Sequence, residues 1–462
     1  MKTKLLPHQN AFIAWAKDRD IVANFAEPGT GKTVMTLAWL ERHRARFILW
    51  ITIPPYLRET IQEVYKHSEY RATALRTADQ LSGPRRVHPG TIFVVNYERV
   101  KLLSDTLSRT PFDAVVADES TCLKRIQAQR TRVAIRCLKH VPKRTILSGK
   151  PITNSLFDIW SQYLFLDRGS TFGRSYVDFR SRYFYPAGFE FKPKSFATSD
   201  IRLRLEGSAF FCQKSDCLRL PPKQSHLIAV DLASKVRPIY DQLCTNWLTE
   251  FQGKQISVMQ AVAKITRLAQ ITSGRFVADD GSVQILPCSK LTVAQALLDH
   301  LLQIHDKIVV WCRFVSEVED IQALAVRLRS PAATVSGKSD ISESLDLFKK
   351  NSTRLIILTL SKGSRALNLS AASAAVYYGR DFSVDRREQS RDRTYRIGSE
   401  RHDSVQYYDI CTRDTVEVSM LDTVQSAALL GGKIVDTRYL LKYLAGKSSL
   451  TNSVDGVEST TS

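Results

Sequence analysis

The stretch Ala26-Glu27-Pro28-Gly29-Thr30-Gly31-Lys32-Thr33 follows a short β-branched run, Ile21-Val22-Ala23-Asn24-Phe25, and precedes a segment with Val34, Leu37 and Ala38 at helical spacing. A strand, a glycine-containing turn and a helix in that order aim backbone N–H groups at a helix N-terminus, where phosphate oxygens bind. Gly29, Thr30 and Gly31 would form the turn, Lys32 would neutralise the β and γ phosphates, and Thr33 would hold magnesium. The stretch departs from G-x-x-x-x-G-K-[ST] at its first position, which is Ala26.

Further along, Phe112-Asp113-Ala114-Val115-Val116-Ala117-Asp118-Glu119-Ser120 puts two carboxylates at the end of an apolar run. Asp118 would hold the magnesium through water, and Glu119 would orient and deprotonate an attacking water. An acidic pair is common where a strand enters a solvated loop; downstream of a phosphate loop on one expected sheet it points to ATP and Mg2+.

Working outward, the runs Phe47-Ile48-Leu49-Trp50-Ile51, Thr91-Ile92-Phe93-Val94-Val95 and Thr145-Ile146-Leu147 alternate with amphipathic segments. Runs this short and this apolar predict strands buried on both faces, hence a parallel sheet wrapped by helices. A second series, Lys307-Ile308-Val309-Val310-Trp311, Leu355-Ile356-Ile357-Leu358, Ala374-Ala375-Val376-Tyr377-Tyr378 and Val405-Gln406-Tyr407-Tyr408, predicts a second α/β lobe. In it, Val318, Ile321, Leu324 and Leu328 share one helix face, with Ser316 and Glu319 as a capping box. Between the lobes the pattern turns helical and aromatic, broken by the loop-like Tyr185-Pro186-Ala187-Gly188 and by Leu220-Pro221-Pro222-Lys223, an expected stiff connector. The aromatics Tyr163, Phe165, Phe172, Tyr176, Phe179 and Tyr183 should pack the insert onto the first lobe.

The 462 residues carry 66 Lys+Arg against 46 Asp+Glu, a formal charge of +20, which suits a polyanionic partner or simply a solvated basic surface. The eight cysteines include no C-x-x-C pair, so no zinc site is expected. The N-terminus has no signal-peptide core and no apolar run approaches the length of a membrane span, so an intracellular protein with reduced thiols is expected. His43, His67 and His226 show no partners in the sequence and receive no role.

In the second lobe, Gln389-Ser390-Arg391-Asp392-Arg393-Thr394-Tyr395-Arg396-Ile397-Gly398 places Arg393 and Arg396 three apart, on one helix face. Alone, that segment reads equally as a solvated basic helix. Together with the motifs above, the chain resembles the Swi/Snf-type family of helicase superfamily two, ATP-dependent translocases on double-stranded DNA, as a compact divergent member of bacterial or phage type. Leu6-Pro7-His8-Gln9 resembles the family's Q motif, which implies that Gln9 reads adenine. Asp118 to Lys124 is similar to its Asp-Glu-Ala-His box with the Arg-Leu-Lys after it, and Leu147 to Asn154 resembles the coupling motif Leu-Thr-Gly-Thr-Pro-Ile-Gln-Asn. Phe165-Leu166-Asp167, Phe179 to Tyr183 and Lys214 to Lys223 resemble the insert this family adds after its first lobe. The 389–398 segment matches the family's arginine-finger box. Departures are Lys150 for threonine, a motif V, Lys362 to Leu369, with a single glycine, Phe211 to Lys214 without paired arginines, and Phe382-Ser383-Val384 for Trp-Asn-Pro.

The resemblance implies an α/β chain of two RecA-like lobes with a helical insert between them: a first lobe over 1–160, a helical insert and linker over 161–225, a further helical insert over 226–290, a second lobe with C-terminal brace over 291–446, and a disordered tail over 447–462. It implies ATP closing the lobes so that Arg393 and Arg396 reach a phosphate held by Lys32. It also implies sequence-independent binding of double-stranded or branched DNA, by a monomer, through loops carrying Arg58, Asn96, Tyr97, Arg313, Ser361 and Lys362. Tyr97 and Trp311 are candidates for stacking on single strands, or for core. The expected activity is a DNA-dependent ATPase motor acting on forks, branched DNA or protein–DNA complexes, in branch migration, repair or recombination. The expected location is the cytoplasm of a bacterial or phage-infected cell, or the nucleus of a eukaryote. A strand-separating helicase and a non-motor, nucleotide-controlled DNA-binding switch are the alternatives.

Overall fold

The structure, a computed structural model, describes all residues except 82–89, 154, 189, 252–257, 279–280, 338–340, 351–352, 364–366 and 430–462. The expected tail over 447–462 and the middle of motif V, Ser364-Arg365-Ala366, lie outside the described residues. Two compact units are formed, Met1–Leu220 with Tyr395–Glu400, and Pro221–Thr394 with the chain from Arg401 onward.

In the first unit the strands are β1 (Ile21–Asn24), β2 (Phe47–Thr52), β3 (Arg71–Ala74), β4 (Thr91–Asn96), β5 (Ala114–Asp118) and β6 (Lys143–Leu147), followed by a hairpin of β7 (Phe184–Ala187) and β8 (Glu190–Pro193), and by β9 (Ala209–Phe210). One seven-stranded sheet runs β3-β4-β2-β5-β6-β1-β9, and every pairing in it is parallel. Successive residues serve opposite faces: Ile48 and Trp50 enter one core with Val94 and Val116, while Leu49 and Ile51 enter the other with Phe93, Val95 and Val115. Both faces being covered is why these strands read as unbroken apolar runs. Each fully buried aliphatic side chain here contributes roughly 1.5–3 kcal/mol. The insert aromatics Tyr163, Phe165, Phe172, Phe179 and Tyr183 are buried in the second of these cores, and Tyr176 packs against it partly exposed.

The second unit contains β10 (Lys223–Val230), β11 (Arg275–Val277), β12 (Val283–Ile285), β13 (Ile308–Cys312), β14 (Ala332–Val335), β15 (Leu355–Thr359), β16 (Ala374–Tyr377) and β17 (Val405–Thr412). Its six-stranded sheet runs β10-β17-β16-β13-β15-β14, again parallel throughout. These two helix-flanked parallel sheets are the two RecA-like lobes.

Two local readings need correction. Lys223–Val230, split between an extended connector and a helical insert, is an edge strand paired along its length with β17 from Lys223↔Val405 to Val230↔Thr412. Most of it is exposed, so it lacks the apolar run that marks a central strand. The helix expected to begin at Ser316 begins at Val315, and Glu317, not Glu319, closes its first turn by accepting from the N–H groups of Arg313 (2.6 Å) and Phe314 (3.2 Å). Val318, Ile321 and Leu324 are buried along that helix, with Leu328 packed at its end.

Candidate nucleotide-binding site

The phosphate-loop stretch lies between β1 and the helix Lys32–Arg42, whose Val34, Leu37 and Ala38 are buried. Gly29 and Gly31 have φ of +86° and +90°, a region only glycine enters freely. A Cβ at Gly31 would stand 2.4 Å from Gln9 Nε2. Ala26 is absent from the positive-φ residues and its N–H donates to the Asn24 side chain at 3.2 Å, so nothing there requires the missing glycine. Lys32 reaches back over the loop to donate to the Ala26 carbonyl at 2.9 Å. Helix N-terminus, two left-handed glycines and an overarching lysine form a cradle that fits a polyphosphate.

Gln9 sits in the helix Pro7–Ala16 and braces this loop rather than standing clear of it. Its Nε2 donates to the Thr30 carbonyl at 3.2 Å, its Oε1 accepts from the Leu6 N–H at 3.0 Å, and it is buried. His8 joins the same carbonyl through Nε2 at 2.8 Å. Both ends of the Gln9 carboxamide are therefore engaged within the chain.

Across the sheet, Asp118 ends β5 and Glu119 follows with φ of +51°. The Thr52 hydroxyl donates to Asp118 at 3.3 Å, and the Glu119 N–H donates to the same carboxylate at 3.0 Å. Desolvation, then the charge of Glu119, push the Asp118 carboxyl up to about 7, against the pull of Lys32. The Asp118 carboxylate, with Thr33, phosphate oxygens and water completing the shell, is a donor set that suits a hard divalent metal. When bound, magnesium would neutralise charge on the phosphates.

Further contacts tie the loop to its surroundings, none of them visible in the sequence. A Cβ at Gly149 would stand 2.6 Å from the Pro28 ring, so the coupling motif lies directly against the loop. In that motif Thr153 donates from N–H (3.1 Å) and hydroxyl (2.8 Å) to Asp158, and its hydroxyl accepts from Lys124 at 2.6 Å. Glu27 donates its N–H to the Cys212 carbonyl and accepts the Lys214 N–H, both at 2.9 Å, joining loop to insert.

The arginine pair is divided between the units. Arg393 lies in the last turn of the helix Val384–Thr394, where its carbonyl accepts the Leu369 N–H at 3.0 Å. Arg396 belongs to the Tyr395–Glu400 segment of the first unit, and a Cβ at Gly29 would meet its Cβ at 2.6 Å.

Of the residues expected to meet DNA, Arg58 and Ser361 are exposed and Lys362 is half-buried. Asn96 caps the helix Tyr97–Leu102 by accepting the Arg99 N–H at 2.8 Å. Tyr97 is not a stacking residue: it is buried, and its hydroxyl donates to the Asp118 carbonyl at 2.7 Å. Trp311 is fully buried core. Arg313 is engaged internally, with the Arg380 carbonyl and the Thr266 hydroxyl each at 3.4 Å, and burial holds its pKa below the usual arginine value. His43, His67 and His226 do have partners: the Ala16 carbonyl, Glu63 and the Tyr408 ring.

Among the described residues no helix is long and apolar enough to cross a membrane. The parallel lobes and the phosphate cradle define a phosphate-loop α/β protein. Residues 8–275 match the SNF2-related domain and residues 290–398 the helicase conserved C-terminal domain, and since the first match alone spans more than half of the chain, the chain belongs to the SNF2-related family. It is similar to protein p41 of Acyrthosiphon pisum secondary endosymbiont phage 1 (30% identical, 41% of this chain and 44% of p41). It is also similar to the DNA annealing helicase and endonuclease ZRANB3 of Homo sapiens (23% identical, 95% of this chain and 41% of ZRANB3). Among solved structures it is similar to the Sulfolobus solfataricus SWI2/SNF2 ATPase core in complex with dsDNA (19% identical, TM-score 0.45, 96% of this chain and 95% of that one). The chain thus spans about two fifths of the length of these curated relatives.

Proposed function

We propose that this chain is a DNA-dependent ATPase that moves along double-stranded DNA without regard to sequence, acting on forks, branched DNA or protein–DNA complexes. The observation that carries the reading is the Gly29 to Thr33 cradle facing Asp118 and Glu119 on one sheet, in a chain of the SNF2-related family. In this reading Lys32 and the loop N–H groups hold the phosphates, Thr33 and Asp118 hold magnesium, and Glu119 takes a proton from the attacking water. Arg393 and Arg396 complete the site as arginine fingers. Arg58, Ser361 and Lys362 supply phosphate contacts, which carry no sequence information and can be remade at each step. The motor acts as a monomer inside a bacterial or phage-infected cell. ATPase stimulation by duplex, single-stranded, forked and four-way-junction DNA, with triplex displacement beside strand separation, tests it. Duplex stimulation with triplex displacement supports the motor; efficient unwinding of a plain tailed duplex favours a strand-separating helicase, and no stimulation by any DNA sinks both.

A further inference from the structure

The hairpin of β7 and β8 stands out from the insert with unusual side chains on both of its faces. Directly opposite positions share a face in an antiparallel pair, and Tyr185 pairs with Lys192. Tyr185 remains 45% exposed, and Lys192 is exposed as well. On the other face Phe184 is buried, stacked 3.6 Å from the Phe157 ring, while Phe191 stays 42% exposed with the Arg180 guanidinium laid over its ring at 4.7 Å. Gly188, at the turn, has nothing within 4 Å of where a Cβ would stand.

Each face therefore offers an exposed ring beside a cation, and neither Arg180 nor Lys192 has an acidic partner among the described residues. The nearby Asp200 is already satisfied by Arg204 at 2.8 Å and by the Tyr183 hydroxyl. A fold that only needed to close this hairpin would cover the rings or replace them. Rings and guanidinium planes stack on any base, and adjacent cations meet the backbone phosphates, but bases within a duplex are covered by their neighbours. From this we infer that the hairpin is a seat for unpaired nucleotides, rings on bases and Arg180 and Lys192 on phosphates. The inference rests on the reading of this chain as a DNA-acting protein.

The test uses the full chain and two fluorescein-labelled DNAs, a blunt duplex and a fork of equal paired length with unpaired arms. Tyr185→Ala/Phe191→Ala is expected to weaken fork binding about tenfold while blunt-duplex binding moves by less than about twofold. The ring-conserving Tyr185→Phe/Phe191→Tyr should bind the fork as wild type does. Tyr185→Ala alone, which leaves Phe191 and its edge-on contact with the Phe157 ring at 6.5 Å in place, should lose part of the fork affinity. Equal weakening on both DNAs, no weakening, or failure of the ring-conserving pair to restore binding overturns the inference. The motor reading is scored separately, by duplex stimulation of ATPase in the wild type: its absence beside a selective loss of fork binding in the variant counts against the motor and for the hairpin.

Discussion

Gln9 and Thr30 are joined by a buried hydrogen bond, Nε2 to carbonyl oxygen at 3.2 Å, which fastens the first helix to the turn of the phosphate loop. Gly31 leaves no room between them for a side chain. Gln9 therefore shapes the cradle whatever it does to adenine.

Replacing Gln9 by alanine should raise the KM for ATP severalfold, because the Thr30 carbonyl is left with His8 alone and the loop loses a hydrogen bond worth about 0.5–1.5 kcal/mol. A brace acts on every triphosphate alike, so ATP and GTP should suffer equally. If Gln9→Ala erased only the preference for ATP over GTP, adenine reading would be its main role and the brace a minor one.

At the centre of the site, Lys32→Ala, Glu119→Gln and Arg396→Ala are each expected to abolish DNA-stimulated ATPase while circular dichroism stays unchanged. Glu119→Gln should still bind ATP, since the loop and Lys32 are intact. Wild-type turnover in all three would remove the assignment of the site.

Tyr97 offers a sharper contrast with DNA contact. Its hydroxyl donates to the Asp118 carbonyl from a buried position, so Tyr97→Phe should cost about 1 kcal/mol of stability and disturb turnover through Asp118. Binding of single-stranded DNA should not change. A selective loss of that binding, with turnover intact, would restore the stacking role.

Thr153 and Asp158 link the coupling motif to Lys124, which lies just beyond the acidic pair in the chain. Asp158→Ala removes the acceptor of both Thr153 donors and the carboxylate 3.9 Å from Lys124, without touching the phosphate loop. Triplex displacement should fall further than ATPase, and a proportional fall in both would mean that the network only supports the fold.

Strands and chemistry were legible in the sequence to different depths. β1, β2, β4, β5 and β6 announce themselves because both faces are covered, whereas β3, β9, β10 and β14 are short or edge strands with exposed or mixed side chains. The positions of Lys32 and Glu119 beyond the ends of β1 and β5 could be read because each is set within its own strand–loop unit. Tyr97 and Arg313 could not, since a residue at a strand end can turn inward or outward and only packing decides. In Tyr97 the decision is a hydroxyl meeting the Asp118 carbonyl, and in Arg313 a guanidinium meeting the Arg380 carbonyl and the Thr266 hydroxyl. Asp158 carried no signal, because its partners lie in two separate motifs.

The second unit has its own test in Lys290 and Glu417, an ion pair with both side chains buried. Glu417 also accepts from the Thr272 hydroxyl (3.0 Å) and the Thr412 N–H (2.8 Å). Burial raises its pKa, but Lys290 and Arg380 outweigh that and hold it below the ordinary 4.5. Glu417→Ala leaves a buried ammonium without its counterion and should cost about 3–5 kcal/mol, whereas Lys290→Met/Glu417→Leu, which removes both charges, should recover most of it. Because the folded pKa is depressed, the stabilisation is complete above the unfolded value and is lost as pH falls through the folded one. Thermal unfolding of wild type and Glu417→Ala should therefore differ fully at neutral pH and converge only below the ordinary carboxylate range. A constant difference down to strongly acidic pH would show that Glu417 stabilises through packing and not through its charge.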